Sequence, residues 1–406
     1  MPDDPSKPQT VAQPVHDHPG DPDHPSPGNA LCLSGGGYRA MLFHLGTLWR
    51  LNELQYLPKL NRVSSVSGGS ITSGVLAMNW KKLQFNAEGC AMNFDQMVTQ
   101  PLSRMASTSI DVSSVISGIF GGISQKVAEH YRDILFGKTT LQDLPNDDEG
   151  PRFVFNATSL QTGVLWRFSK PFMGDWIVGL VKNPTVELAT AVAASSAFPP
   201  VLSPAVLEVD PNCFTDGAKF PPPGVTYPAF RKEIVLSDGG VYDNLGLETA
   251  WKNYTTILVS DGGAALTMTA DPPHEWLGQA YRVLDVIDNQ VGALRKRVLI
   301  ASYENQQRGG AYWGVGTNIA HYKLATALAC DHNFTLKLAS TATRLTAMPV
   351  ELQHQLIDWG YAVCDAAMRT WVVPTAPAPT QSPFGTFTQA SAGTAAGAAT
   401  ATGRNR

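Results

Sequence analysis

The sequence predicts a three-layer α/β/α domain with a central, mostly parallel sheet and a helical insertion near one end of it. Three observations carry that expectation. Short apolar strands alternate with helical stretches along most of the chain, the pattern of a sheet covered by helices on both faces. Two strands run through a turn of small residues straight into a helix, at Ser34 to Gly37 and at Ser67 to Gly69. Two further strands each end in Asp-Gly-Gly, at Asp238 and Asp261.

Taken in order, Leu31-Cys32-Leu33 reads as a buried strand, Ser34 to Gly37 as a glycine turn, and Arg39 to Leu57 as a helix on which Met41, Leu45, Leu48, Leu51 and Leu54 recur three or four residues apart. Pro58 stops it. Arg62 to Val66 is the next strand, and Ser70 to Trp80 continues as a helix after Ser67-Gly68-Gly69. Asn93 to Gly137 reads as an insertion over one end of the sheet, either cap helices packed on the core or a mobile, lipid-touching lid, with Ile116, Phe120, Ile123 and Val127 at helical spacing. Phe153 to Phe155 and Val164 to Trp166 pair around Gln161-Thr162-Gly163. Asn183-Pro184 supplies a helix cap and first-turn proline, with Pro199-Pro200 closing that helix. Ile234 to Leu236 and Ile257 to Val259 are buried strands, and long helices are expected over His274 to Gln306 and Pro349 to Trp371.

Composition bounds the rest. With 406 residues, 43% hydrophobic, the chain can bury a large core without stapling. Five scattered cysteines argue against a disulfide framework, and a net charge of −4 gives no global field for nucleic acid. Residues 1–28 are Pro- and Asp-rich with no apolar run, so a disordered tail and a cytoplasmic location are expected. Residues 374–406, rich in Ala, Gly, Thr and Pro, read as a flexible tail, leaving 29–373 as one folded domain. No window is apolar for long enough to span a membrane, so any membrane contact is peripheral.

Acyl transfer needs a nucleophile at a sharp turn, a base, and N–H donors aimed where the carbonyl oxygen becomes negative. Ser67 lies between strand and helix in Ser65-Val66-Ser67-Gly68-Gly69, where small neighbours permit a strained turn. Gly35-Gly36-Gly37-Tyr38-Arg39 can turn its N–H groups toward one point at a helix N-terminus. The same glycines fit a dinucleotide fingerprint, but that requires an acidic residue ending the second strand, where Ser64-Ser65-Val66-Ser67 stands instead. For the base, Asp238 and Asp261 have nearly the same setting, and spacing alone does not separate them. Asp216 and Asp243 are weaker rivals, Asp243 being better suited to capping a helix near Asn244. His274, His321, His332 and His354 follow the acid in order but sit in no glycine-rich loop, and His44 suits packing or capping.

Together, the glycine turn Gly35 to Arg39, the elbow Ser65 to Gly69 and the base motif Asp238 to Gly240 resemble the patatin-like phospholipase family and its mammalian cytosolic phospholipase relatives. Asn244 after the acid also matches, which favours Asp238 over Asp261. Ala193-Ala194-Ser195-Ser196-Ala197-Phe198-Pro199 is similar to a family segment near the active site, and Trp359-Gly360-Tyr361 to a late family feature. Ser65, where the family has glycine, is the clearest departure.

The resemblance implies a Ser67/Asp238 dyad rather than a triad, an oxyanion hole from Gly35, Gly36, Gly37 and Gly68, and supporting roles for Arg39, at the turn or a lipid head group, and Asn244. It implies hydrolysis of fatty acyl esters at a membrane or micelle surface, with no metal, no cofactor and no nucleic-acid partner. The alternative is a non-catalytic lipid-binding or scaffold protein that keeps the fold.

Overall fold

The computed structural model describes residues 25–110, 123–215, 217, 227–264, 266 and 268–389. In chain order these form β1 (Ser26–Leu33), α1 (Gly37–Glu53), β2 (Arg62–Ser65), α2 (Gly68–Asn79), α3 (Gln100–Ala106), α4 (Ile123–Tyr131), β3 (Arg152–Ser159), β4 (Leu165–Phe168), β5 (Phe172–Asp175), β6 (Gly179–Lys182), α5 (Leu188–Ser195), β7 (Ala205–Glu208), α6 (Tyr227–Arg231), β8 (Glu233–Asp238), α7 (Gly240–Asp243), α8 (Glu248–Trp251), β9 (Tyr254–Asp261), α9 (Trp276–Glu304), β10 (Gly309–Gly314), α10 (His332–Ala339) and α11 (Val350–Trp371). All ten strands share one sheet, ordered β10-β9-β1-β2-β3-β4-β5-β6, with β8 also on β3 and β7 on β8. From β10 through β3 the neighbours are parallel, and β4 to β8 add antiparallel pairs.

Strand periodicity builds the three layers. Successive side chains on a strand point to opposite faces, so on β1 Leu31 and Leu33 enter the larger core under α1, α2 and α11, while Ala30 and Cys32 enter a smaller one with Leu245, Leu247 and Leu299. β9 divides in the same way, Leu258 to one side and Ile257 and Val259 to the other. α11 lies directly on α1: a Cβ at Gly360 would sit 1.9 Å from the Phe43 carbonyl oxygen, so the Trp359-Gly360-Tyr361 segment serves close helix packing.

Several boundaries differ from the sequence expectation. β1 begins at Ser26, inside the expected tail, because its first residues pair with β9. The helix expected from Asn183 begins at Leu188: Asn183 has φ +46° and turns the chain out of β6, and the carbonyl and amide flanking Glu187 bond to Leu141 and Thr139. β10 was not expected, since its glycines carry no strand signal and it is set by pairing along β9. The expected flexible tail from 374 instead packs through residue 389. Phe387 is buried, Asp358 accepts the Phe384 and Thr386 N–H groups at 2.9 Å each, and the Phe384 ring stacks on His354 at 3.8 Å. Two aromatic side chains and hydrogen bonds to its backbone, including Arg50 to the Pro377 carbonyl at 2.8 Å, dock an otherwise low-complexity segment.

The two described parts of the 93–137 insertion are packed on the core, with Leu102, Met105, Val127, Tyr131 and Phe136 buried. Ile116 and Phe120 lie outside the described residues. No helix among those described is long and apolar enough to cross a membrane.

Candidate active site

The sheet register brings two distant segments to one point. β2 runs parallel to β3 and ends with Ser65 opposite Phe155. β8 runs antiparallel to the same strand and ends with Asp238 opposite Ala157. β4 occupies the other edge of β3 over these residues, so β2 and β8 approach each other end to end, with Asn156 between them. Its amide donates to Ser64 Oγ and to the Ser65 carbonyl, both at 2.9 Å, and its own carbonyl accepts from Ser195 Oγ at 2.6 Å.

Ser67 is the next turn beyond β2, with φ +52° and ψ −121°. That conformation is strained for a residue with a Cβ and is held only where surrounding bonds over-determine it. Here the Ser67 N–H donates to the Ser195 carbonyl and side-chain oxygens, each at 3.1 Å. The same Ser195 carbonyl accepts the Gly239 N–H at 3.4 Å, so one oxygen at the end of α5 ties the turn carrying Ser67 to the turn carrying Asp238. Ser65 fits because its side chain joins a buried polar cluster, receiving a bond from Ser70 Oγ at 3.1 Å; its place in the strand requires no glycine conformation.

Asp238 is 1% exposed. Its Oδ1 accepts the Gly240 N–H at 2.7 Å, while Oδ2 is buried without a completed hydrogen bond. Burial drives its pKa from the ordinary carboxylate value up to about 7, opposed by the Gly240 N–H and the nearby Ser67 hydroxyl and reinforced by the negative charge of Asp288. Asp261, its twin in sequence, is committed elsewhere. It holds Lys296 Nζ and the Tyr312 hydroxyl at 2.7 Å each and the Gly263 N–H at 2.9 Å. These partners keep its pKa below the ordinary value against the opposing effect of burial. Asp243 caps α8 by accepting the Leu245 and Glu248 N–H groups, and Asp216 lies outside the described residues.

Asp261→Asn is therefore expected to act on stability first. It leaves Lys296 without its anion and should cost about 1–3 kcal/mol, read as a lower unfolding temperature at neutral pH. Because the folded pKa is depressed, the stabilisation is present above the unfolded carboxylate pKa and fades as pH falls through the folded one, so the gap from wild type should narrow in acid. A variant as stable as wild type at pH 7 would refute this assignment.

The glycine turn lies against this pair. Gly36 and Gly37 have φ +137° and +59°, and α1 starts at Gly37. α2 starts at Gly68, where a Cβ would sit 2.1 Å from the Gly37 carbonyl oxygen, so only glycine lets the two helix starts meet. Among the described residues, the Gly36, Gly37 and Gly68 N–H groups have no backbone acceptor. Gly35 departs from the expected oxyanion role: its N–H donates to the Asn244 carbonyl at 3.0 Å, and a Cβ there would meet Asn244 Oδ1 at 2.3 Å. Gly35 thus makes room for Asn244, which wedges between the turns at Gly35, Gly240 and Gly263.

Ser67, Asp238, Gly36, Gly37 and Arg39 open on a cavity of about 1100 Å³ with apolar walls that include Ile110, Phe198, Val201, Leu202 and Leu345. Arg39, only 1% exposed, donates to the Gly262 and Thr341 carbonyls, which fastens the glycine turn to the loop after β9. Its Nη2 has no hydrogen-bond partner among the described residues, and burial lowers its pKa to about 10, so it stays cationic at neutral pH. Among the described residues, no histidine lines the cavity. His44 is buried between Ser260 Oγ and the Ser34 carbonyl, its pKa pushed down to about 4 by burial, and is a neutral packing residue. Asn156, Ser70, Arg344 and the α9 residues Asp285 and Asp288 escaped sequence reasoning. None lies in a motif, and each reaches the site through pairing or packing alone.

A family model described as patatin-like phospholipase matches residues 31–251. No curated protein matches the chain. Among solved structures, human GIVD cytosolic phospholipase A2 in complex with methyl gamma-linolenyl fluorophosphonate aligns with a TM-score of 0.50 and 14% identity over 84% of this chain and 57% of its own. The same human protein with that inhibitor and terbium chloride aligns at 0.38 and 16% over 59% and 41%, and VipD from Legionella pneumophila at 0.34 and 15% over 84% and 66%. The chain spans about half the length of the human chains it matches, and at these identities the likeness speaks for the fold.

Proposed function

The chain belongs to the patatin-like phospholipase family, and on that premise we propose that it is a lipid acyl hydrolase, a phospholipase A or lysophospholipase-like esterase, working through an acyl-Ser67 intermediate with Asp238 as the sole general base. The observation that carries this reading is the pairing of a strained, nearly enclosed Ser67 with a buried carboxyl whose pKa lies near 7, both facing one apolar cavity. An ordinary carboxylate is too weak a base to take a serine proton, and burial removes that weakness.

In the proposed sequence, Asp238 Oδ2 takes the Ser67 proton as Oγ attacks the ester carbonyl. The tetrahedral oxyanion forms against the Gly36, Gly37 and Gly68 N–H groups at the starts of α1 and α2, where both helix dipoles favour negative charge. Protonated Asp238 then returns its proton to the leaving alcohol. Water, activated by the same carboxylate, releases the fatty acid from Ser67. Arg39 fastens the glycine turn and keeps a buried cation beside the cavity, where it would favour an anionic head group. The substrate would reach the site at a membrane or micelle surface through peripheral contact, in the cytoplasm.

The test is fatty-acid release from mixed phospholipid micelles as a function of pH. Deprotonated Asp238 is the active form, so kcat/KM should fall below an apparent pKa near 7 and stay level above it. Asp288→Asn removes a neighbouring negative charge and should move this limb to lower pH by about a few tenths of a unit. An acid limb near pH 4, or one that ignores Asp288→Asn, would mean that burial does not raise the proton affinity of Asp238, and an Asp238→Asn variant with wild-type activity would remove Asp238 from the role of base. A fluorophosphonate, the inhibitor class bound by the human structural relative, should label Ser67 and no other residue; wild type that neither labels nor releases fatty acid would leave only a lipid-binding scaffold.

A further inference from the structure

α9 carries an apolar seam along one flank, beside the residues that contact the protein body. Leu277, Leu284, Val291 and Val298 fall seven residues apart, and Ala280, Ile287, Leu294 and Ala301 repeat three residues behind them. These are the a and d positions of four consecutive heptads. The five large side chains Leu277, Leu284, Ile287, Leu294 and Val298 are 48–55% exposed, and Trp276 at the start of the helix is 80% exposed. The body-facing side is different in kind. Arg295 pairs with Glu248, Lys296 with Asp261, the Tyr303 hydroxyl bonds to the Ile257 carbonyl, and Leu299 and Ser302 are buried. Among the described residues, the large side chains of the seam are left exposed, as are Val283 and Val286 on the outer face beside it.

We infer that α9 pairs with the α9 of a second copy of this chain, forming a two-fold dimer through a short left-handed coiled coil. The 3.5-residue repeat selects a helix as occupant, because it keeps one narrow stripe facing a partner along all four heptads. A helix lying on a bilayer needs cations flanking its apolar face, whereas the positions beside this seam, Val283, Gln290, Arg297 and Glu304 on one side and Tyr281, Asp288, Arg295 and Ser302 on the other, carry two charges of each sign. No a or d position is charged, so nothing opposes self-pairing, and a seam meeting its own copy closes the assembly at two chains. The exposed seam with Trp276 and Val283 offers roughly 800 Å² per copy, the area of a standard-size interface.

The pairing bears on the site, because the flank next to the seam contributes Tyr281, Arg282, Asp285 and Asp288 to the cavity wall. Residues 276–290 are exposed at almost every position, so the partner helix supplies the packing that holds this wall in place. The inference rests on the seam and not on the proposed chemistry.

Sedimentation velocity of the full chain between about 1 and 50 µM tests it, using Ser67→Ala as well as wild type so that assembly is read without turnover. Both should sediment at twice the chain mass, and L284E/I287E, which alters only exposed positions, should sediment as a monomer with an unchanged far-UV spectrum. Ile287→Cys gives a second reading: on mild oxidation it should form a disulfide-linked dimer absent from wild type. Monomeric wild type across the range, or a dimer that survives L284E/I287E, overturns the inference. So does monomeric wild type that co-sediments with phosphatidylcholine vesicles through Leu284 and Ile287, which would give the seam to a lipid surface.

Discussion

Ser67→Ala is expected to lower fatty-acid release by at least about a thousandfold while leaving the fold intact. The side chain makes no capping hydrogen bond to α2, and the elbow is held by the Ser67 N–H bonding to Ser195 and by the close approach of Gly68 to Gly37. None of those contacts involves the hydroxyl, so alanine can keep the positive-φ turn that Ser195 already enforces. What disappears is the atom that forms the acyl bond. The variant should therefore unfold within a degree or two of wild type, fail to react with a fluorophosphonate, and still bind lipid in the cavity. Residual release above about a tenth of wild type would show that another residue carries the acyl group, since the oxyanion N–H groups alone cannot sustain such a rate.

Asp238→Asn should lose activity by a similar factor, with the opposite sign on stability. The folded-state pKa is raised to about 7 from an unfolded value near the ordinary 3.8, so the stability associated with the protonated acid is fully present below the unfolded pKa and is lost as pH rises through the folded one. Above pH 7 wild type holds a buried carboxylate with no cation paired to it among the described residues and only the Gly240 N–H and the nearby Ser67 hydroxyl to offset its charge. Asparagine retains an acceptor for the Gly240 N–H, removes the buried charge, and can donate toward Ser67. The variant should thus unfold at a higher temperature than wild type at pH 8 and at nearly the same temperature at pH 4. Thermal scans at the two pH values, run beside the activity assay, check both halves. A variant less stable than wild type at pH 8 would mean that the carboxylate is better solvated than its burial implies. Loss of activity paired with gain of stability is the mark of a group kept for chemistry at a cost to the fold. Asp261→Asn, in contrast, should lose stability.

The motifs were legible because each rests on local backbone demands. A strand entering a glycine turn and then a helix is visible as apolar residues, glycines and a 3.6-residue repeat, whatever lies elsewhere in the chain. Gly35 shows the limit of that reading. Its place in a glycine run marks it as an oxyanion donor, yet the structure ties its N–H to Asn244, and the missing side chain makes space for the Asn244 amide. Asn156 shows the same limit from the other direction. Nothing around it in the sequence marks a site, and it matters because β2 and β8 both end beside it.

The sequence by itself determined the alternation of strands and helices, the strained turn at Ser67, the glycine cradle and a short list of acids, since all of these follow from steric and hydrophobic demands within a few residues. The resemblance at Asn244 favoured one acid, but only the tertiary structure decided what surrounds each of them. Asp238 and Asp261 have the same neighbours in the chain, but β8 meets β2 end to end along β3, while β9 lies between β1 and β10 and delivers Asp261 to Lys296 and Tyr312. Long-range strand pairing buries one carboxylate without an ion-pair partner, raising its pKa to about 7, and gives the other a cation that holds its pKa down. That difference in surroundings separates a candidate base from a structural ion pair, and it arises from contacts that no short stretch of sequence contains.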